Sequence, residues 1–329
     1  MTEVARVGIR GTGSCLPAKV LSNADFERMV DTSDDWIITR TGIKERRVVS
    51  EGETTATLAT EAGRRALAAA GMVAADLDAI VVATVTPDNQ FPSVACKVQA
   101  AIGATRAGAF DVGAACSGFL YALNTGRALV ASRTAKNVLV IGAETLSRIV
   151  DYSDRTACIL FGDGAGAVVL SSEFERGEVL PGSTHADGSG YEIMWLRAGG
   201  SAERLTPEAM AAGHHFLTIR GREVYKFAVS KFVELVEAQI AANRGIELGM
   251  VIPHQVNLRI IESAREKLGI PVEQIFCNIE KYGNTSAASI PIALDEAVRS
   301  GALDRCKGKL VIFCAFGAGL TWAYGALRW

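Results

Sequence analysis

The chain has 329 residues, 49% of them hydrophobic, and a formal net charge of −2, a composition of soluble globular proteins with length for one large domain or two of ordinary size. This balance gives neither the general basic field that nucleic acid attracts nor a polybasic segment for an anionic membrane. Seven cysteines at irregular spacings, with no C-x-x-C, argue against a disulfide framework and against a zinc site.

The opening "MTEVARVGIRGTG" lacks the basic, apolar and small-residue succession of a secretory signal, and no apolar run reaches membrane-spanning length. A cytoplasmic protein with no membrane or nucleic-acid partner is expected. "RVGIRGTGSCLP" reads as a strand running into a loop, "TATLATEAGRRALAAAG" as an Ala-rich helix, and "LDAIVVATVTP" as a short strand buried in a sheet. "GAFDV" and "KNVLVIGAE" are strands flanking a helix that starts near Cys116, and "GDGAGAVVLS" closes this half. Strands alternating with helices indicate an α/β class.

Between about residues 172 and 215 the pattern dissolves into Gly, Ser and charge, marking the junction between halves, with some strand, such as "EIMWLRA", expected inside it. A helix, "REVYKFAVSKFVELVEAQIAANRG", opens the second half. There "MVIPHQ" precedes the helix "NLRIIESAREKLG", "QIFCNI" precedes "SAASIPIALDEAVRSG", and "KLVIFCAF" passes through "GAG" to a last strand, "TWAYGALRW". The order strand, small-residue turn, helix, strand thus occurs in both halves. It implies two related units packed face to face, with sites along their junction.

Cys116 in "DVGAACSGFLYAL" stands between small residues at a strand-to-helix turn, which resembles a nucleophile elbow. The helix N-terminus there favours a thiolate and offers N–H groups to an oxyanion. On this segment alone a buried small hydrophobe is an equal reading. His254 in "VIPHQVN" falls at a strand end rather than on an apolar helix face, which points towards function. Asn284 in "KYGNTSAAS" reads by itself as an N-cap or turn residue. A Cys, a His and an Asn each at the C-terminal end of a strand would nevertheless converge in an α/β sheet. Trp36 and Arg40, four residues apart in "DTSDDWIITRTGIKERR", would share a helical face, to sandwich a flat ring or to form a surface cation–π pair. No G-x-G-x-x-G followed by a helix and no G-x-x-x-x-G-K-[ST] occurs, so nucleotide-phosphate chemistry has no support.

Seven segments in order, "DTSDDWIITRTGIKERR", "FPSVACKVQ", "DVGAACSGFLYAL", "FGDGAGAVVL", "PHQVNLRII", "YGNTSAAS" and "FGAGLTW", together resemble the β-ketoacyl-acyl carrier protein synthase III family, the initiating condensing enzymes of bacterial fatty-acid synthesis. The resemblance implies a thiolase-like α/β fold, two duplicated halves (residues 1–174, carrying the cysteine, and 175–329, carrying His and Asn) in a layered αβαβα sandwich. It implies a Cys116, His254, Asn284 triad, with the N–H groups of Cys116 and Ala318 as oxyanion hole. Thr32, Trp36, Arg40, Arg155 and Asn257 match coenzyme A contacts. Leu146 and Phe161 match residues of the acyl pocket, and Phe91 one that reaches into the partner subunit's pocket. Lys226 and Arg259 match the docking site of the acyl carrier protein.

The implied partners are acyl-coenzyme A, malonyl-acyl carrier protein and a second copy of the chain, with no metal or cofactor beyond coenzyme A as part of the substrate. The implied reaction passes through an acyl-Cys116, with His254 Nε2–H and the Asn284 amide holding the enolate left by decarboxylation. An acyltransferase or thioester hydrolase on the same fold, or a condensing enzyme of a secondary-metabolite pathway, remains an alternative. Three departures from the family pattern stand out: Thr156 and Ala318, each where glycine is frequent, and a shortened link, "NRGIELGM", before the His254 strand.

Overall fold

Among residues 4–329, which the computed structural model describes, nine strands form one continuous hydrogen-bonded sheet. The first three residues of the opening stretch lie outside the described residues. The strands are β1 (Gly8–Cys15), β2 (Ala79–Ala83), β3 (Gly108–Val112), β4 (Asn137–Thr145), β5 (Asp163–Ser171), β6 (Glu178–Ala186), β7 (Leu248–Pro253), β8 (Leu310–Gly317) and β9 (Thr321–Arg328). Their order across the sheet is β7-β8-β9-β6-β1-β5-β4-β2-β3. The single pair Gly8↔Glu178 joins β1 to β6, so two sheets meet at one narrow seam.

Each sheet repeats the same plan. In the first, β3, β2 and β4 run parallel while β5 and β1 follow antiparallel. In the second, β7 and β8 run parallel, and β9 and β6 follow antiparallel. The counterpart of β3 is "QIFCNI", expected as a strand but reduced to a single parallel bridge, Val251↔Ile275. The reason is local. Beyond the Phe276 N–H bond to Val251 O (2.9 Å), the Gln255 side chain bonds Phe276 O and Asn278 N, satisfying backbone groups that a ladder would otherwise take.

Seven main helices complete the layers: α1 (Asp34–Thr41), α2 (Thr55–Ala70), α3 (Val94–Ile102), α4 (Gly118–Ala131), α5 (Gly221–Ala242), α6 (Leu258–Leu268) and α7 (Ser289–Arg299). Helices α2 and α3 cover the outer face of the first sheet, and α5 and α6 that of the second. Helices α4 and α7 lie between the sheets, where Phe119, Leu123, Ile290 and Leu294 pack with side chains of both. The layers therefore run αβαβα. Close approach depends on small residues: a Cβ on Gly13 of β1 would stand 2.4 Å from Ala66 N of α2. Only a glycine-bearing strand and an alanine-faced helix pack at that spacing.

One further expectation is corrected, and another is met by a short strand. The stretch read as an irregular junction contains all of β6, a nine-residue strand. Its polar, half-exposed residues hide it from any alternation pattern, and long pairing with β9 sustains it. The expected strand in "EIMWLRA" is Met194–Leu196, outside the main sheet and paired only with Leu217–Ile219. The shortened link closes between α5 and β7 with Gly245 at φ 95° and an Ile246 N–H bond to Asn243 O. No helix of the described residues is long and apolar enough to cross a membrane.

Candidate active site

Cys116 lies in a short 3₁₀ turn, Ala115–Ser117, that joins β3 to α4. Ala115 is held at φ 45°, a left-handed conformation costing an L-residue roughly 1–2 kcal/mol. Such strain is typical of a sharp elbow that presents its next side chain to a cavity. From the opposite side Gly317 presses in: a Cβ there would be 2.7 Å from Cys116 N. The end of β8 and the cysteine backbone are thus in direct contact.

Burial works against the expected thiolate. Burial pushes the Cys116 thiol up to about 12; a Ser286 hydrogen bond works against the rise and the Glu144 carboxylate adds to it. His254 moves the other way, held down at about 3 by burial. Both shifts favour the neutral forms, a thiol and an unprotonated imidazole on one cavity wall, over an ion pair.

His254 directly follows β7, and its N–H continues the ladder to Cys314 O (2.8 Å). Nδ1 lies 2.7 Å from Ser289 Oγ, while Nε2 is buried with no partner. Asn284 departs from its expected strand end. It follows the short helix Ile279–Tyr282, and its backbone bridges to Phe161, with bonds from Asn284 N to Leu160 O (2.8 Å) and from Gly162 N to Asn284 O (3.0 Å). Its Oδ1 accepts Ser286 N–H at 2.8 Å. The amide NH₂ is left as the end free to meet a substrate.

These three side chains share the wall of one cavity of about 330 Å³. Trp36, Arg40, Asn257 and Arg259 line it too, and the exposure of both arginines puts its mouth there. Ser33 caps α1, which brings the Arg40 guanidinium to 4.5 Å from the centre of the half-buried Trp36 ring. Arg155 approaches the same ring at 5.3 Å and bonds the Asp31 carbonyl, but is not on the wall. Its neighbour Thr156 is on it. Asn257 caps α6 by accepting Arg259 N–H and donates to Arg40 O (3.0 Å), tying the two helices together. Thr32 contributes a buried hydroxyl without a partner, off the wall.

A second, apolar cavity of about 150 Å³ lies on the other side of Cys116. Leu146, Phe161 and Ala318 line it, with Trp195 and Leu217 from the small two-stranded ribbon. Ala318 is not among the residues with positive φ, so alanine is accommodated without strain. Phe91 is 86% exposed on this single chain and touches neither cavity, and Lys226 is exposed on α5.

Sequence reasoning missed the supporting residues. Glu144, at the end of β4, is buried and accepts bonds from Thr84, Thr86, Ser286 and Val85 N. Burial raises its carboxyl to about 7. Arg46 is fully buried, bonding Asn23 and the Ile159 carbonyl, and braces the segment that carries Phe161. The signal for Ser286 and Ser289 lay inside "YGNTSAAS", where both serines follow the asparagine that drew attention.

Two family models match, 3-oxoacyl-[acyl-carrier-protein] synthase III over residues 110–188 and its C-terminal region over residues 241–329. A protein named beta-ketoacyl-[acyl-carrier-protein] synthase III from Xylella fastidiosa is 51% identical over 98% of both chains. One of the same name from Caldanaerobacter subterraneus is 48% identical over 100% of this chain and 99% of its own. The crystal structure of 3-oxoacyl-[acyl-carrier-protein] synthase III from Aquifex aeolicus superposes with a TM-score of 0.88 at 46% identity, covering 98% of this chain and all of that one. With relatives this similar along its whole length, the chain belongs to the β-ketoacyl-acyl carrier protein synthase III family of condensing enzymes.

Proposed function

We propose that the enzyme condenses a short acyl group delivered by coenzyme A with malonyl-acyl carrier protein, giving 3-oxoacyl-acyl carrier protein and carbon dioxide and so starting a fatty-acid chain. One observation carries this reading. Cys116, the unpartnered His254 Nε2 and the Asn284 amide share one cavity wall that contains no carboxylate among the described residues. An acylated cysteine beside two neutral hydrogen-bond donors suits a reaction that generates an enolate.

In the first half-reaction Cys116 sulfur attacks the thioester carbonyl, and the N–H groups of Cys116 and Ala318 receive the oxyanion. Coenzyme A leaves as its thiol, carrying the proton that Cys116 gives up. Acyl-Cys116 then occupies the apolar cavity beside Leu146 and Phe161. In the second, the malonyl C–C bond breaks, carbon dioxide departs, and the electron pair becomes an enolate held by His254 and Asn284. Its carbon attacks acyl-Cys116, the C–S bond breaks, and the released cysteine thiolate takes up one proton from solvent. Decarboxylation drives the sequence, which needs neither metal nor redox cofactor.

Trp36, Arg40, Arg155, Thr32 and Asn257 are read as coenzyme A contacts. The exposed cations Lys226 and Arg259 are read as the docking site of the acidic carrier protein. The exposure of Phe91 supports a homodimer in which it completes the partner's acyl cavity. We place the enzyme in the cytoplasm and its two halves at residues 1–174 and 175–329, since the first sheet draws its strands from 8–171 and the second from 178–328. The test is incubation with acetyl-coenzyme A and malonyl-acyl carrier protein. Equal yields of 3-oxoacyl-acyl carrier protein and carbon dioxide are expected. Release of free acetate or acetyl transfer without carbon dioxide would refute the reading in favour of a hydrolase or acyltransferase.

A further inference from the structure

The roles assigned to His254 require a proton on Nε2, and a neutral imidazole carries only one. Something must therefore choose between its two nitrogens. Ser289, the first residue of α7, is buried with its Oγ 2.7 Å from His254 Nδ1. The same Oγ lies 3.3 Å from Gln255 N, a backbone N–H that can only donate. That contact occupies a lone pair of the hydroxyl, and no carbonyl or carboxylate bonds to Ser289 Oγ among the described residues. The arrangement that gives the Ser289 hydroxyl hydrogen an acceptor has Ser289 O–H donating to Nδ1. The imidazole proton then sits on Nε2, the atom that is buried, unpartnered and on a side chain lining the cavity.

The placement of Ser289 is rigid. The segment leading into α7 lies directly on two sheet glycines. A Cβ on Gly142 would stand 2.2 Å from Ala287 O, and one on Gly166 2.6 Å from Ile292 N. Ser289 is bracketed by those two contacts, while His254 and Gln255 are held by β7 and by the Gln255 side-chain bonds to Phe276 O and Asn278 N. The Ser289 backbone cannot drift from the ring without moving a helix off the sheet.

We propose that Ser289 is a positioning residue that locks His254 in its Nε2–H tautomer, so that His254 meets malonyl-acyl carrier protein as a hydrogen-bond donor. This rests on the decarboxylative reading above. It also assigns a division of labour: His254 in the resting enzyme has no free lone pair at Nε2 with which to take the Cys116 proton. Its contribution falls on decarboxylation rather than on acylation.

The test uses the full-length enzyme with nitrogen-15-labelled histidine, the His254 signals being assigned by their loss in His254→Gln. A protonated Nε2 and an unprotonated Nδ1 are expected in the unmodified protein near neutral pH; a protonated Nδ1 would overturn the proposal without any variant. Ser289→Ala should mix the tautomers and slow carbon dioxide release from malonyl-acyl carrier protein by at least about 10-fold. Acylation of Cys116 by acetyl-coenzyme A should stay within about twofold, and Ser289→Thr, which keeps the hydroxyl, should restore both signal and rate. Equal loss in the two half-reactions, or none in decarboxylation, would refute the assignment. Because the spectrum needs no substrate, an enzyme with Nε2–H that releases no carbon dioxide would refute the proposed function and leave the tautomer assignment standing. An enzyme that condenses while carrying Nδ1–H would do the reverse.

Discussion

Replacing Gly142 by alanine should damage the second half-reaction from a position that touches no substrate. Gly142 lies mid-strand in β4, paired with Ala83 on one side and Gly166 on the other, so its backbone has nowhere to retreat. The added Cβ would sit 2.2 Å from Ala287 O and 2.8 Å from Ala287 C, whereas carbon contacts settle near about 3.5 Å. The Asn284–Ser289 segment must therefore lift by about 1 Å, at an overpacking cost of roughly 1–3 kcal/mol. A displacement of about 1 Å at a catalytic group is worth about 100-fold in rate. Carbon dioxide release from malonyl-acyl carrier protein should fall by that order, while acylation of Cys116, measured by intact mass, should fall far less. Gly63→Ala is the control. Its Cβ meets only side-chain tips, Leu139 Cδ2 at 3.1 Å and Ile141 Cδ1 at 3.6 Å, and alanine gains about 1 kcal/mol of helix propensity in α2. A Gly142→Ala enzyme with parental melting temperature and parental carbon dioxide release would refute the idea that this glycine seats the asparagine turn.

Other outcomes follow from the same geometry. Asn284→Ala should still acylate at Cys116 but release carbon dioxide about 100- to 1,000-fold more slowly, the usual loss for one oxyanion donor, and Cys116→Ser should abolish the acyl adduct. Trp36→Ala, which removes the ring beneath Arg40 and Arg155, should raise KM for acetyl-coenzyme A roughly 10-fold with kcat little changed, as measured in steady-state assays. Stability should carry a pH signature of His254. Its folded value of about 3 lies below the ordinary 6.5, so its contribution is complete above about pH 6.5 and is lost as pH falls towards 3. Glu144, raised from 4.5 to about 7, acts oppositely, adding stability as pH falls through that range. Denaturant titrations should show that His254→Gln gains about 2 kcal/mol relative to its parent between about pH 7 and about pH 5.

The proposed catalytic trio was legible because each member stands in a short motif whose neighbours constrain the backbone. Cys116 has an elbow of small residues, and His254 follows an apolar strand and a proline. What supports the trio was not legible, since it comes from chain closure. Glu144 reads as the end of a strand until folding brings Thr84, Thr86 and Ser286 around it, from 60, 58 and 142 residues away. Ser289 and His254 are 35 residues apart, and nothing in either segment announces the other. Strand β6 escaped notice because backbone pairing, not side-chain burial, holds it, and Gly182 within it makes room for Asn124 and the Tyr324 carbonyl. "QIFCNI" misled in the opposite sense. It is apolar enough for a strand, but Gln255 takes its backbone bonds.

The central claim is that one cysteine carries the acyl group between two half-reactions. Intact-mass and peptide-mass analysis during a chase measures this directly. Treatment with acetyl-coenzyme A should place one acetyl group on the peptide containing Cys116. Addition of malonyl-acyl carrier protein should discharge it, with one 3-oxoacyl-acyl carrier protein and one carbon dioxide formed for each acetyl group lost. An acetyl group on any other residue, or discharge of acetyl-Cys116 to water without carbon dioxide, would contradict the account.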